Sequence, residues 1–287
     1  MRLSLLHFND LHGRFDQMPR LFTLIQRARA QAQAAGRSVL LLDGGDSSSR
    51  EVWESNITQG RANLTLLEAM GVQASVVGNN EAGRWGREAL AQMAAAVHFP
   101  LLAANLFDAA DPARLAVPGL RPSVVLAFGE FRLGLVGVTV PQFFYPRLGY
   151  KTPGPLPIVR REIAQLKAAG ARTILVLSHL GVIDDYRLAF SLREIDVIVG
   201  GHTHTALRTP ARAGNALLVQ AGSHGKYLGR LDLDLDEATG RVRAFSGGLM
   251  PCDGLTPPDP TISATLEFVR EEAARLTPVS RRERGRR

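Results

Sequence analysis

The chain of 287 residues carries a single cysteine, Cys252. An internal disulfide is excluded, and so is a metal site built on clustered thiolates. Aromatic residues make up only 6%. No basic strip interleaved with aromatics is present to read single-stranded nucleic acid by stacking. No apolar run approaches the roughly 20 residues that span a bilayer. The first residues pass from Arg2 straight into Leu3-Ser4-Leu5-Leu6, without the charged, apolar and small-residue zones of a secretory signal. The expectation is a cytoplasmic protein with no membrane partner. A nucleic-acid partner is not expected, and the oligomeric state is left open.

What is present is globular material. Hydrophobic residues make up 45% and charged residues 21%, ample for a packed core. Of the formal net charge of +7, much sits in Arg281, Arg282, Arg284, Arg286 and Arg287, which read as a solvated terminal tail. Strand and helix signals alternate from the start. Leu3 to Phe8, Val39 to Leu42 and Ala74 to Val77 read as buried strands. Pro19 to Ala35, Ala62 to Met70 and Arg87 to Ala96 read as helices; the first has Pro19 near its start and Gly36 past its end. Later, Val124 to Phe128 and Phe131 to Val138 read as a hairpin. Leu217 to Gln220, Leu228 to Leu235 and Arg241 to Phe245 read as a meander. The fold class is α/β, and two mixed sheets flanked by helices account for the pattern. Residues 1–252 are expected to form the catalytic domain, and 253–287 a Pro-rich linker, a terminal helix and the basic tail.

Polar motifs stand at the ends of the apolar runs: Asp10-Leu11-His12, Gly45-Asp46, Gly78-Asn79-Asn80-Glu81, Ser178-His179 and Gly201-His202-Thr203-His204. Ligands in α/β sheets bind beyond the carboxyl ends of strands. Asp10, His12, Asp46, Asn79, His179, His202 and His204 together form a mixed oxygen and nitrogen donor set, the kind that holds two adjacent divalent cations. Such a pair clamps a phosphoryl group and activates water. Asp10 and His12, two residues apart, are expected to point to the same side of the strand that they leave. The donor set suits Mn, with Fe, Zn, Co or Ni as alternatives.

These stretches resemble the calcineurin-like metallophosphoesterases, specifically the 5′-nucleotidase branch. The resemblance rests on Phe8-Asn9-Asp10-Leu11-His12-Gly13, Asp43-Gly44-Gly45-Asp46, Gly78-Asn79-Asn80-Glu81, Ser178-His179-Leu180-Gly181 and Gly201-His202-Thr203-His204. Ala221 to Gly229 is also similar to that branch. The resemblance implies a four-layer α/β/β/α sandwich. It also implies one cation on Asp10, His12, Asp46 and His204, and a second on Asp46, Asn79, His179 and His202. The chain departs from the family at Asn80, where a histidine usually stands. That histidine stabilises charge on the phosphoryl oxygens or protonates the leaving group, whereas asparagine does not titrate and only donates a hydrogen bond. The branch typically carries a further C-terminal domain that sandwiches a nucleobase, and that domain is not expected within these 287 residues.

The resulting expectation is a dinuclear phosphate-ester hydrolase acting on a small phosphorylated compound, a nucleotide among the options. Asn80 and His224 are the candidate catalytic residues, and Asn80 and Arg84 the candidate substrate contacts. Asn9 is a candidate support for the site, and Asn105 either a support or a turn residue. His7 and His98 read as structural. Loss of general acid help costs typically 10²–10⁴-fold, so phosphodiesters and nucleotide anhydrides are alternative substrates. A metal or nucleotide sensor with little catalysis, and a nuclease using the basic tail, are the competing readings.

Overall fold

The computed structural model describes residues 1–277; the basic run from Arg281 to Arg287 lies outside the described residues. The chain opens with β1 (Arg2–Phe8), α1 (Met18–Ala34), β2 (Ser38–Asp43), α2 (Trp53–Ile57), α3 (Arg61–Ala69) and β3 (Ala74–Val76). It continues through α4 (Asn79–Gly83), α5 (Gly86–Ala95), β4 (Leu101–Leu102), β5 (Phe107–Asp108), β6 (Leu120–Arg121), β7 (Ser123–Phe128), β8 (Phe131–Thr139) and β9 (Tyr150–Lys151). Next come α6 (Pro155–Ala168), β10 (Thr173–His179), α7 (Val182–Ser191), β11 (Val197–Gly200), β12 (Ala211–Ala213) and β13 (Ala216–Val219). The last described elements are β14 (Tyr227–Leu235), β15 (Val242–Pro251) and α8 (Pro260–Leu276).

Two mixed sheets face each other. One has seven strands in the order β15-β14-β1-β2-β3-β4-β6, the other six in the order β12-β13-β11-β10-β8-β7. Alternation along each strand sends one set of side chains between the sheets and the other toward helices. Leu3, Leu5, Leu40 and Leu42 meet Leu133, Leu135, Leu175, Leu177, Val197 and Val199 in the inter-sheet core. Leu6, Phe8 and Leu41 turn the other way, against apolar residues of α1, α3, α5 and α8. Val136, Ile174, Val176 and Ile198 pack under α6 and α7. This is the four-layer α/β/β/α arrangement.

α1 forms because Leu21, Leu24, Ile25, Ala28 and Ala32 fall on one buried stripe. Gly36, at φ 68°, ends it in the left-handed conformation that glycine adopts without strain. α8 starts where the Asp259 carboxylate accepts from the Thr261 and Ile262 backbone N–H groups. It buries Ile262, Leu266, Val269 and Ala273 in the same core as α1. No helix among the described residues is long and apolar enough to cross a membrane.

Two expectations need correction. Leu217 to Gln220 does not join the following strands in a meander. Only β14 and β15 pair with each other, whereas β13 runs parallel to β11 in the other sheet. Apolar alternation marks a strand but not which of two sheets it joins, and residues 220–226 make the crossing. α2, α4 and α7, the first two only five residues long, were also not anticipated. A helix of five residues is too short to display a 3.6-residue period.

Candidate metal centre

The central strands of both sheets end on one edge of the sandwich, and the sequence motifs leave them there. β1, β2 and β3 are parallel neighbours, as are β8, β10 and β11. Asp10 and His12 follow β1, Asp46 follows β2 and Asn79 follows β3; His179 closes β10; His202 and His204 follow β11. His224 lies on the crossing between β13 and β14. All these side chains are thus delivered by the ends of elements rather than by their interiors.

The backbone there is unusual. Seven non-glycine described residues have positive φ, and six of them are Asp10, His12, Asp46, His202, His204 and His224. Such conformations cost of order 1–3 kcal/mol each and persist where surrounding structure over-determines them. Asp10 and His12, at φ 52° and 49°, therefore do not share a side through strand alternation, as expected. They lie past the strand, and their left-handed turns bring His12 Nε2 to 3.6 Å from Asp10 Oδ1.

The over-determining contacts are visible. Asn9 Nδ2 donates to Asp10 Oδ2 at 2.6 Å and to the Gly222 carbonyl at 2.7 Å, and Asn9 Oδ1 accepts from the Ala221 N–H. The His202 N–H also donates to Asp10 Oδ2. The buried Glu81 carboxylate accepts from the backbone N–H groups of Asp46, Gly78 and Ser48 and from the Ser48 hydroxyl. Gln220 accepts from Thr203 Oγ1 and the Thr205 N–H while donating to the Gly201 carbonyl. Glycine is required where these loops touch. A Cβ on Gly78 would lie 2.1 Å from Asp46 Oδ1, and one on Gly201 2.4 Å from the Gly44 carbonyl oxygen.

The donors converge with unspent atoms. Asp10 Oδ1, Asn79 Oδ1 and His179 Nε2 are buried without any hydrogen-bond partner. His12 Nε2 and His204 Nε2 are 2.9 Å apart, and His204 Nε2 is 3.4 Å from Asp10 Oδ1. His179 Nδ1 donates to the Gly44 carbonyl at 2.7 Å, which leaves Nε2 as a lone pair 3.4 Å from Asp46 Oδ1. Two clusters result, Asp10–His12–His204 and Asp10–Asp46–His179, while the His202 ring lies 5.3 Å from that of His179. Buried polar atoms left unpaired are costly, and here they are the oxygen and imidazole donors that divalent cations accept. The residues present fit such ions.

The electrostatics agree. Burial works against charge on Asp10, but hydrogen bonds from His12 and His204 hold its carboxyl below the usual range. Burial also opposes a charged His179, yet Asp46 and Asp10 push it up to about 10. Ionised carboxylates thus hold a proton on the His179 imidazole, at a point where a cation would replace it.

Asn80 differs from expectation. Its N–H donates to Asp46 Oδ1 at 2.8 Å. Nδ2 gives its two hydrogens to the Ser48 carbonyl and to His12 Nδ1, and Oδ1 accepts from Arg84 Nε at 3.0 Å. A carbonyl only accepts and an arginine N–H only donates, so this orientation of the amide is determined. The side chain, 3% exposed, has no donor left for a substrate. The terminal guanidinium nitrogens of Arg84 carry that capacity instead, in a cleft of about 540 Å³ that also holds His12, Asp46, Asn79, His202, His204 and His224. His224 Nδ1 lies 3.0 Å from Ser223 Oγ, and its ring is 5.4 Å from that of His12.

The remaining expectations fall into place around this cleft. Asn105 ties the end of β8 by exchanging two hydrogen bonds with the Thr139 backbone and does not reach the cluster. His7 is buried between the sheets, but its Nδ1 has no partner. His98 stands at the surface beside Glu68. Glu81, Ser48 and Gln220 were missed as supports. Glu81 and Gln220 stood in or beside the quoted motifs, but nothing in their spacing signalled a role.

Residues 3–206 match the model of the calcineurin-like phosphoesterases. The chain belongs to this family. It is 33% identical over 242 residues to an uncharacterized metallophosphoesterase of Bacillus subtilis (strain 168), covering 82% of this chain and 50% of that one. It is 29% identical over 303 residues to the 5′-nucleotidase of Homo sapiens, covering 92% and 52%. The solved structure of a 5′-nucleotidase precursor from Thermus thermophilus superimposes with a TM-score of 0.81 at 25% identity, over 96% of this chain and 59% of that one. This phosphoesterase chain spans about half the length of the curated relatives that it matches.

Proposed function

We propose that the chain hydrolyses phosphate esters of small, nucleotide-like compounds, using two divalent cations held by Asp10, His12, Asp46, Asn79, His179, His202 and His204. The observation that carries this reading is the convergence of Asp10, Asp46 and His179 and of Asp10, His12 and His204, with Asp10 Oδ1, Asn79 Oδ1 and His179 Nε2 buried and unpartnered. When bound, such cations supply positive charge that activates water and stabilises the charge developing on the phosphoryl oxygens. A donor set of oxygens and imidazoles with no thiolate favours Mn, with Fe, Zn, Co or Ni as alternatives.

The chain's own residues do the rest. Asn9 and Glu81 fix the two aspartate loops. Asn80 positions Arg84 through its Nε–H, so that the guanidinium fork meets the phosphoryl oxygens. His224, at the mouth of the cleft, is the group placed to hand a proton to the leaving oxygen. Because Asn80 donates nothing to the substrate and protonation rests on His224 alone, leaving groups that need no protonation are favoured, and anhydrides and aryl esters should turn over faster than alkyl esters. The family's nucleotidases support the nucleotide-like substrate. The test is hydrolysis of p-nitrophenyl phosphate, bis(p-nitrophenyl) phosphate, AMP and ADP by chelator-treated protein supplied with each metal. Hydrolysis dependent on added metal and abolished in Asp46→Asn supports the reading; hydrolysis that survives Asp46→Asn overturns it.

A further inference from the structure

A second groove, of about 830 Å³, opens beside the metal cleft. Arg14, Val52 and His224 line both, so the groove adjoins the cleft of the metal centre. Four cationic side chains face it, Arg14, Arg20, Lys226 and Arg270, against the two carboxylates of Asp16 and Glu54.

Those carboxylates are already spent. Arg270 binds Asp16 at 2.7 Å, Glu54 at 3.0 Å and Glu267 at 3.2 Å. The Arg20 Nη1 donates to the Thr256 and Gly254 carbonyls. Gln17 donates to the Gly225 and Cys252 carbonyls. Arg14 and Lys226 remain, with no hydrogen-bond or ion-pair partner for their side chains among the described residues. Each stands two residues past a histidine of the metal cleft, His12 or His224; Arg14 lines both clefts and Lys226 the groove alone. Of the two rings in the lining, Phe15 is 2% exposed and His224 is shared with the metal cleft, so the groove has no exposed Phe, Tyr or Trp on which a base could stack. An arginine fork and a lysine point charge with no anion of their own are the pair that recognises phosphate.

We propose that this groove is a subsite for a second phosphoryl group, joined to the one held at the metal centre; the assignment rests on reading that centre as a phosphoesterase. Arg14 and Lys226 bind the second phosphate, and the preferred substrates are diphosphates. In the reaction, the oxygen of water bonds to the terminal phosphorus and the bridging P–O bond breaks. Its electron pair stays on the second phosphate, and one proton of the water is released. A phosphate leaves as an anion without being protonated, which suits a cleft where Asn80 has no donor to give.

The test compares the full metal-loaded chain with an Arg14→Ala/Lys226→Ala double variant; both side chains are exposed, so folding is not at stake. Two measurements are made: steady-state kinetics with ADP and AMP, and calorimetric affinity for inorganic pyrophosphate and inorganic phosphate. The expected wild-type result is a lower KM for ADP than for AMP and pyrophosphate bound at least about tenfold tighter than phosphate, one charge-assisted contact being worth about that much. The double variant should lose both differences, and Arg14→Lys/Lys226→Arg should keep most of them. Equal weakening for one-phosphate and two-phosphate ligands, or a pyrophosphate preference that survives the double variant, overturns the subsite. If no phosphate compound is hydrolysed, the phosphoesterase reading fails, while the pyrophosphate affinities still decide the groove.

Discussion

At the scale of single residues, the site separates atoms that are spent from atoms that are not. Arg84 gives its Nε–H to Asn80 and keeps its fork. Arg84→Ala is expected to lower kcat/KM for p-nitrophenyl phosphate roughly tenfold to a hundredfold. Arg84→Lys should recover only part, since an ammonium lacks the fork; full activity in Arg84→Ala would remove the residue from the site. Glu81 accepts four hydrogen bonds while buried. Glu81→Gln puts an amide donor against those donors and should cost about 2–3 kcal/mol in denaturant unfolding of the chelated protein; an unchanged midpoint would show that the carboxylate is not holding the loops. The ligand candidates were legible in the sequence because each is a polar residue closing an apolar run. Glu81 and Gln220 were not, because a brace is defined by what it touches across the chain. Asn80 was legible as an exception, but its role was not: only the contacts with Ser48, His12 and Arg84 show that its amide is used up.

At the scale of elements, the strands bring the loops to one edge, and glycine lets the loops touch. A methyl on Gly201 would press on the Gly44 carbonyl at 2.4 Å and on His179 Nδ1 at 2.8 Å. Gly201→Ala is therefore expected to leave the circular dichroism spectrum intact and to weaken Mn²⁺ affinity by about tenfold or more, as loss of outer supports does in metal sites. Unchanged affinity in calorimetry would mean that the loop spacing is not critical. The parallel strands and long helices were readable from period and punctuation, as α1 shows with Pro19 and Gly36. The membership of β13 in the second sheet was not readable, because Leu217 and Leu218 alternate equally well against either sheet. α4 was hidden for a different reason. Its five residues form because Glu81 closes back on the Gly78 N–H, a contact that leaves no periodic trace.

At the scale of the whole molecule, two sheets enclose groups that the solvent cannot reach. His7 is one, held down to about 4 by burial between the sheets. Its unfolded value is near 6.5, so between about pH 6.5 and 4 the unfolded chain binds a proton that the native state refuses. Stability falls as pH falls through that window, by about 3 kcal/mol at pH 4. His7→Phe removes the term. Its stability relative to wild type should rise by about that amount between pH 7 and pH 4 in urea unfolding, and a gap independent of pH would show that His7 is not held neutral. The same architecture sets the two aspartate loops of one sheet against the histidine loops of the other, and the central claim is that this junction holds two cations that hydrolysis requires. Its most direct test is a titration of Mn²⁺ into chelator-treated protein, with bound metal and p-nitrophenyl phosphate hydrolysis read from the same samples. Activity that is absent without metal and saturates at two ions per chain is the predicted result. Hydrolysis by the metal-free chain, or two bound ions with no hydrolysis, would contradict it.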